Sequence, residues 1–170
     1  MKSIQDPNIL ISKIPSSIRR AIVVAAGAFV VLLTLTITTM NLAIAQNQQQ
    51  TFTAKLSGSN EVPPVTTTAT GMAQFQPSSD GNKISYTLNA TNINNFMMAH
   101  IHQGKTGENG EPIAPLSMGN GTITSSDLQG PLAGKQISDL VNLMNNGQAY
   151  VNIHTQQNMN GEIRGQIMPG

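Results

Sequence analysis

The sequence predicts an all-β domain, an antiparallel β-sandwich or Greek-key barrel with one short helix, from three observations. Seven segments after Gln50 alternate apolar and polar residues with the period of a strand. Clusters of Gly, Pro, Asn and Asp separate those segments at close spacing. A single stretch near residue 140 switches to helical period. Many short strands with frequent turn signals are the pattern of sandwiches and barrels, and no internal repeat is visible.

The elements follow in order. Phe52, Ala54 and Leu56 face one way and Thr51, Thr53 and Lys55 the other, which is a first strand with one buried side. Val62-Pro63-Pro64 ends that region, because proline cannot donate to a ladder. A second strand, Gly71–Gln76, sets Ala73 and Phe75 against Met72, Gln74 and Gln76. Asp80-Gly81 marks the hairpin to a third strand, Lys83–Ala90, with Ile84, Tyr86, Leu88 and Ala90 inward. A fourth strand, Met97–Gln103, precedes a loop from Gly104 to Pro112 rich in Gly and charge, and a fifth runs near Gly121–Thr124. Ser138 as N-cap, Asp139 in the first turn and Gly147 as the stop predict a helix over Ser138–Asn145, with Leu140, Leu143 and Met144 as its packed face. Strands Gln148–Thr155 and Glu162–Met168 close the chain around a loop at 156–161. The expected core is Phe52, Leu56, Phe75, Ile84, Tyr86, Leu88, Ile101, Val151, Ile153, Ile163 and Ile167.

Before the domain stands a different kind of segment. Lys2, Lys13, Arg19 and Arg20 precede an uncharged, largely apolar stretch from Ala21 to Ala45 that ends in Ala43-Ile44-Ala45. A cleaved signal peptide and an N-terminal transmembrane anchor both fit residues 1–45, and the basic flank would keep the N-terminus in the cytoplasm in either case. Residues 46–50 read as a polar linker and residues 51–168 as the domain. The expected location is therefore secreted or cell surface, with contact to a membrane through the leader if it is retained.

Composition narrows the function. The domain carries Lys55, Lys83, Lys105, Lys135 and Arg164 against seven acidic residues, a net of 5 − 7 = −2, so there is no basic footprint for nucleic acid. The chain has no cysteine, which leaves core packing to hold the domain and excludes thiol chemistry and thiolate metal sites. Two three-residue N-glycosylation patterns begin at Asn89 and Asn120. No nucleophile–base–acid constellation, nucleophile elbow or phosphate cradle is present, so the expected role is non-catalytic binding of an extracellular protein or surface ligand.

One chemical feature stands against that bland background. The chain has three histidines, and all lie on two predicted strands: His100 and His102 in Met98-Ala99-His100-Ile101-His102, and His154 in Tyr150-Val151-Asn152-Ile153-His154. Alternation puts His100 and His102 on one face, and Asn152 and His154 on the face opposite Val151 and Ile153. If the strands are neighbours, three imidazoles converge outside the core, a donor set suited to copper or zinc with an open coordination position. Such a site would weaken below about pH 6 as ordinary imidazoles protonate. The competing reading makes them polar ladder residues bonded to backbone, Glu108 or Glu162. Arg164 and Glu162, two apart on the last strand, are candidates for positioning an anion or orienting a histidine, or for a plain cross-strand charge pair.

Several runs also carry a family resemblance. Ala54-Lys55-Leu56-Ser57-Gly58-Ser59-Asn60-Glu61-Val62-Pro63-Pro64-Val65, Ala69-Thr70-Gly71, Ala99-His100-Ile101-His102-Gln103-Gly104, Gly130-Pro131-Leu132, Tyr150-Val151-Asn152-Ile153-His154-Thr155 and Gly161-Glu162-Ile163-Arg164-Gly165-Gln166-Ile167 resemble, in order, the CHRD domain named after chordin. The resemblance covers about Thr51–Met168 and implies an extracellular module without a general assigned activity. A second likeness is to Cu/Zn superoxide dismutases, in the order His-x-His, a late His and a following Arg. It implies copper ligands at His100, His102 and His154 and an anion-guiding Arg164. The sequence departs from that family in lacking a fourth bridging histidine, a zinc-binding loop and the disulfide, and in the short interval between His154 and Arg164.

Overall fold

The computed structural model describes residues 15–18 and 50–170. The chain divides into two units, Met1–Gln48 and Gln49–Gly170. Of the first, one helical turn at residues 16–18 is described; the rest of the expected leader, and linker positions 46–49, lie outside the described residues. Among the described residues no helix is long and apolar enough to cross a membrane.

The second unit holds nine strands in one sheet: β1 Phe52–Ser57, β2 Thr70–Pro77, β3 Lys83–Thr91, β4 Phe96–Gln103, β5 Pro112–Leu116, β6 Gly119–Thr124, β7 Ala149–Thr155, β8 Ile163–Gln166 and β9 Met168–Pro169. The order is β5-β4-β7-β8-β1-β2-β3-β6, with β9 pairing on β1, and every pairing is antiparallel. The two ends of this order, β5 and β6, are joined by Ser117 and Met118 alone. Eight strands laid flat would separate those ends by ~34 Å, whereas two connecting residues reach ~10 Å. The sheet therefore curls into a nearly closed barrel, the all-β architecture expected from the sequence.

Alternation builds the interior. Phe52, Ala54 and Leu56 from β1, Ala73 and Phe75 from β2, Ile84, Tyr86 and Leu88 from β3, and Ala99 and Ile101 from β4 meet Val151, Ile153, Ile163 and Ile167 in one cluster, which contains all eleven expected core residues. One helix, α1 (Ile137–Asn145), packs Ile137, Leu140 and Met144 into it.

Four local expectations change. β5 was not among the expected strands, and its first residue, Pro112, was assigned to the loop; it forms despite Pro112 and Pro115 because it is an outer strand, where a missing N–H is tolerated. The expected final strand is two, since the backbone after Gln166 shifts its pairing to the Phe52–Thr53 end of β1. The helix begins at Ile137, not after Ser138: Asp139 Oδ2 accepts the Gln136 N–H at 2.9 Å, capping the turn one residue earlier and burying Ile137. Gln50, expected in the linker, bonds Asn145 Oδ1 through Nε2 at 2.5 Å.

Candidate metal centre

β4 and β7 are direct neighbours, with His100 opposite Asn152, His102 opposite Tyr150 and Met98 opposite His154. This register brings the three imidazoles into a near-equilateral group, with ring centroids 5.7 Å apart for His100–His102, 5.6 Å for His100–His154 and 5.7 Å for His102–His154. One ring nitrogen from each can be chosen so that all three lie within 4.8 Å of one another. Tetrahedral ligands at ~2.0–2.1 Å from an ion stand ~3.3–3.4 Å apart. A triangle with edges no longer than 4.8 Å reaches that spacing if each nitrogen moves less than ~1 Å.

The group lies outside the apolar core, as alternation requires, but it is not open to solvent. His102 is 9% exposed and His154 7%, while His100 is half-buried. β7 is buried on both faces along its full length. The cover comes from the loops after β4 and β7, and both fix an imidazole. Gly110 O stands 2.9 Å from His102 Nδ1, and Met159 O stands 2.9 Å from His154 Nδ1. A carbonyl only accepts, so each Nδ1 carries the proton and each Nε2 keeps its lone pair. Those two Nε2 atoms, and His100 Nδ1, are buried without a hydrogen-bond partner in the protein. Glu108 and Glu162 bond none of the histidines.

Electrostatics keep the cluster neutral. Burial pulls the His102 imidazole down to about 4, helped by His154 and His100 and opposed by the Gly110 hydrogen bond. Burial also lowers His100 and His154 from their ordinary value. Unpartnered ring nitrogens on three neighbouring imidazoles, in a poorly solvated space and with protonation suppressed, are the donor state a transition metal requires. Hydrogen bonds from Nδ1 to backbone carbonyls fix ring orientation as in established metal sites.

Arg164, expected on an outward face and proposed as an anion guide, is 2% exposed. Its guanidinium lies 3.4 Å from the Tyr150 ring centroid. It donates to Lys105 O at 2.9 Å, Glu108 O at 2.7 Å and Asn109 Oδ1 at 3.2 Å. Tyr150 in turn stacks on His102 with ring centroids 5.1 Å apart, and its hydroxyl accepts the Gly110 N–H at 3.2 Å. Arg164, Tyr150, the loop Lys105–Gly110 and His102 thus form one closed network, in which Arg164 holds the loop whose carbonyl orients the imidazole. Glu162 forms no ion pair with Arg164 and no hydrogen bond with a histidine. It accepts from Thr67 Oγ1 at 2.5 Å, Thr155 Oγ1 at 2.9 Å and Asn158 Nδ2, and those bonds hold its carboxyl below the usual range.

Sequence reasoning missed Tyr150, Gly110 and Glu61. Alternation placed Tyr150 on the histidine face, and that was its available signal. Glu61 is buried, and a Cβ at Gly161 would lie 2.6 Å from its Oε1 and 2.7 Å from the Asn152 amide, so only glycine admits this approach. Glu61 Oε1 and Asn152 Oδ1 both lack partners. Burial raises the Glu61 carboxyl to about 7, against the opposing pull of Arg164.

Comparison with known proteins adds one finding. No curated protein and no solved structure matches the chain. The family model of the CHRD domain matches residues 52–167, spanning β1 through Ile167 and enclosing all three histidines. The chain belongs to the CHRD domain family.

Proposed function

We propose that this chain is an exported CHRD module that captures one copper or zinc ion with His100, His102 and His154. The observation that carries the reading is the set of buried, unpartnered nitrogens on these three residues, two of them with tautomers fixed by backbone carbonyls. An orphaned buried polar atom costs about 1–3 kcal/mol, and three on imidazoles whose centroids are 5.6–5.7 Å apart are difficult to explain as ladder chemistry. A bound ion would use each as a ligand and leave a fourth position open. Export rests on the basic residues and the uncharged stretch from Ala21 to Ala45.

Catalysis is not part of the proposal. Among the described residues no second cluster of metal-ligating side chains accompanies the first, and Arg164 is committed to the loop. The test is titration of the purified, tag-free full-length chain with Cu(II) and Zn(II) beside a His100→Ala/His102→Ala variant. Tight one-to-one binding by the wild type alone supports the reading; equally weak binding by both overturns it. Fractionation of expressing cells tests the location, and intact full-length protein in the soluble cytoplasm would refute export.

A further inference from the structure

A residue that carries a fourth donor neighbours the three histidines in the sheet. β4 alternates strictly from Met98 onward, with Ala99 and Ile101 buried in the core, so Met98, His100 and His102 share the opposite face. Met98 is also the direct register partner of His154 across the β4–β7 pair, and opposed residues have Cβ atoms ~4.5–5.5 Å apart. It thus adjoins His100 along its own strand and His154 across the ladder. Exposure rises along this face, from 9% at His102 through half-buried His100 to 44% at Met98. The imidazoles form the deep side of the group, and Met98 stands at its solvent end.

We propose that Met98 supplies a thioether that makes this centre selective for monovalent copper. The inference deepens, and rests on, the three-histidine reading above. Thioether sulfur is a soft ligand that selects Cu(I), whereas zinc is bound by imidazole, thiolate and carboxylate. Charge points the same way. Three neutral imidazoles and a neutral thioether bring no anion to the ion, so Cu(I) leaves one net charge in a poorly solvated place and Zn(II) leaves two. An uncompensated buried charge is costly, and a second one more so. Glu108 and Glu162, the nearest candidates for compensation in sequence, bond other groups, and the buried Glu61 carboxyl approaches Asn152 and Gly161 and bonds none of the histidines.

The test compares the full-length wild type with Met98→Leu, a swap of similar volume at a half-exposed position, and with Met72→Leu on β2 as a control. Cu(I) affinity is read anaerobically by competition with a chromophoric chelator, Zn(II) affinity by a fluorescent one, and the copper form by X-ray absorption. Expected is a copper–sulfur shell in the wild type and a loss of about tenfold or more in Cu(I) affinity in Met98→Leu. Zn(II) affinity and the Met72→Leu control should be unchanged. A wild type without a sulfur shell, or a Met98→Leu variant with full Cu(I) affinity, overturns the thioether assignment while the histidine centre stands. Loss of the histidine centre itself has a separate signature: wild type and the His100→Ala/His102→Ala variant would bind both ions equally weakly.

Discussion

Replacing Arg164 with Lys probes the link between fold and site most directly. Lysine keeps the positive charge but has no planar fork, so it can retain one of the three hydrogen bonds to Lys105 O, Glu108 O and Asn109 Oδ1 and loses the flat stacking on Tyr150. Hydrogen bonds to a charged group contribute ~1.5–3 kcal/mol each, so two lost bonds amount to ~3–6 kcal/mol before relaxation. Water admitted by the loosened loop rehydrates the ammonium and the freed carbonyls, bringing the expected net loss to ~2–4 kcal/mol. For a domain of this size that corresponds to a fall in Tm of roughly 8–16 °C. The assay is thermal unfolding by circular dichroism, with hydrogen exchange of the amides from Lys105 to Gly110 in parallel. Those amides should lose protection before the rest of the sheet does. Metal affinity should fall by about 10–100-fold, because the Gly110 carbonyl no longer fixes His102. An Arg164→Lys protein that melts within ~2 °C of wild type, with the loop amides equally protected, would refute the clamp.

Further outcomes are expected from the same geometry. An ion at one hundred times its dissociation constant should stabilise the wild type by ~2.7 kcal/mol, seen as a raised Tm that is absent in the His100→Ala/His102→Ala variant. Because burial lowers all three imidazoles, protons should compete for the site only at more acid pH than ordinary histidines allow. Metal titrations should therefore show retained binding at pH ~5.5, below the ordinary imidazole value. Glu61 has the opposite sign: its folded value of about 7 lies above the ordinary 4.5, so its contribution is fully present below pH 4.5 and is lost as pH rises through 7. Glu61→Gln should then match wild type near pH 5 and exceed it at pH 8 by ~1–2 kcal/mol, after discounting for solvent screening, in urea melts at the two pH values. Gly110→Ala would place a Cβ 1.6 Å from Gln103 O; the loop must shift, and metal affinity should drop with little change at the far side of the barrel.

The fold was legible in the sequence where one face of a strand is apolar and the other polar. Phe52, Ala54 and Leu56, or Ile84, Tyr86 and Leu88, announce both strand and orientation, and each lies in the core. Legibility ended where tertiary cover changes the meaning of a face. On β7, Asn152 and His154 read as outward residues, yet the loop carrying Met159 and Gly161 closes over them. Arg164 was misread for the same reason: alternation gives its face, not the Lys105–Gly110 loop that buries it. β5 was missed because Pro112 and Pro115 signal breaks, and only knowledge of its outer place in the sheet makes them acceptable. The histidine cluster was visible as three residues on two strands; that the strands are neighbours, and which nitrogens stay bare, emerged only from the pairing register and the two carbonyls.

The adjacency of β4 and β7 has a temporal consequence. His102 and His154 are 52 positions apart in the chain, with β5, β6 and α1 between them. An unfolded or half-made polypeptide can offer His100 and His102 as a two-nitrogen clamp, but the third nitrogen arrives only when a late segment docks against an early one, after a long loop has closed. Any ion held by all three therefore belongs to the completed barrel alone. A truncated, nicked or denatured chain releases it. Loading then has to follow folding, so a chain delivered unfolded to its destination draws its ion from the surroundings there, and not from the compartment where it was made.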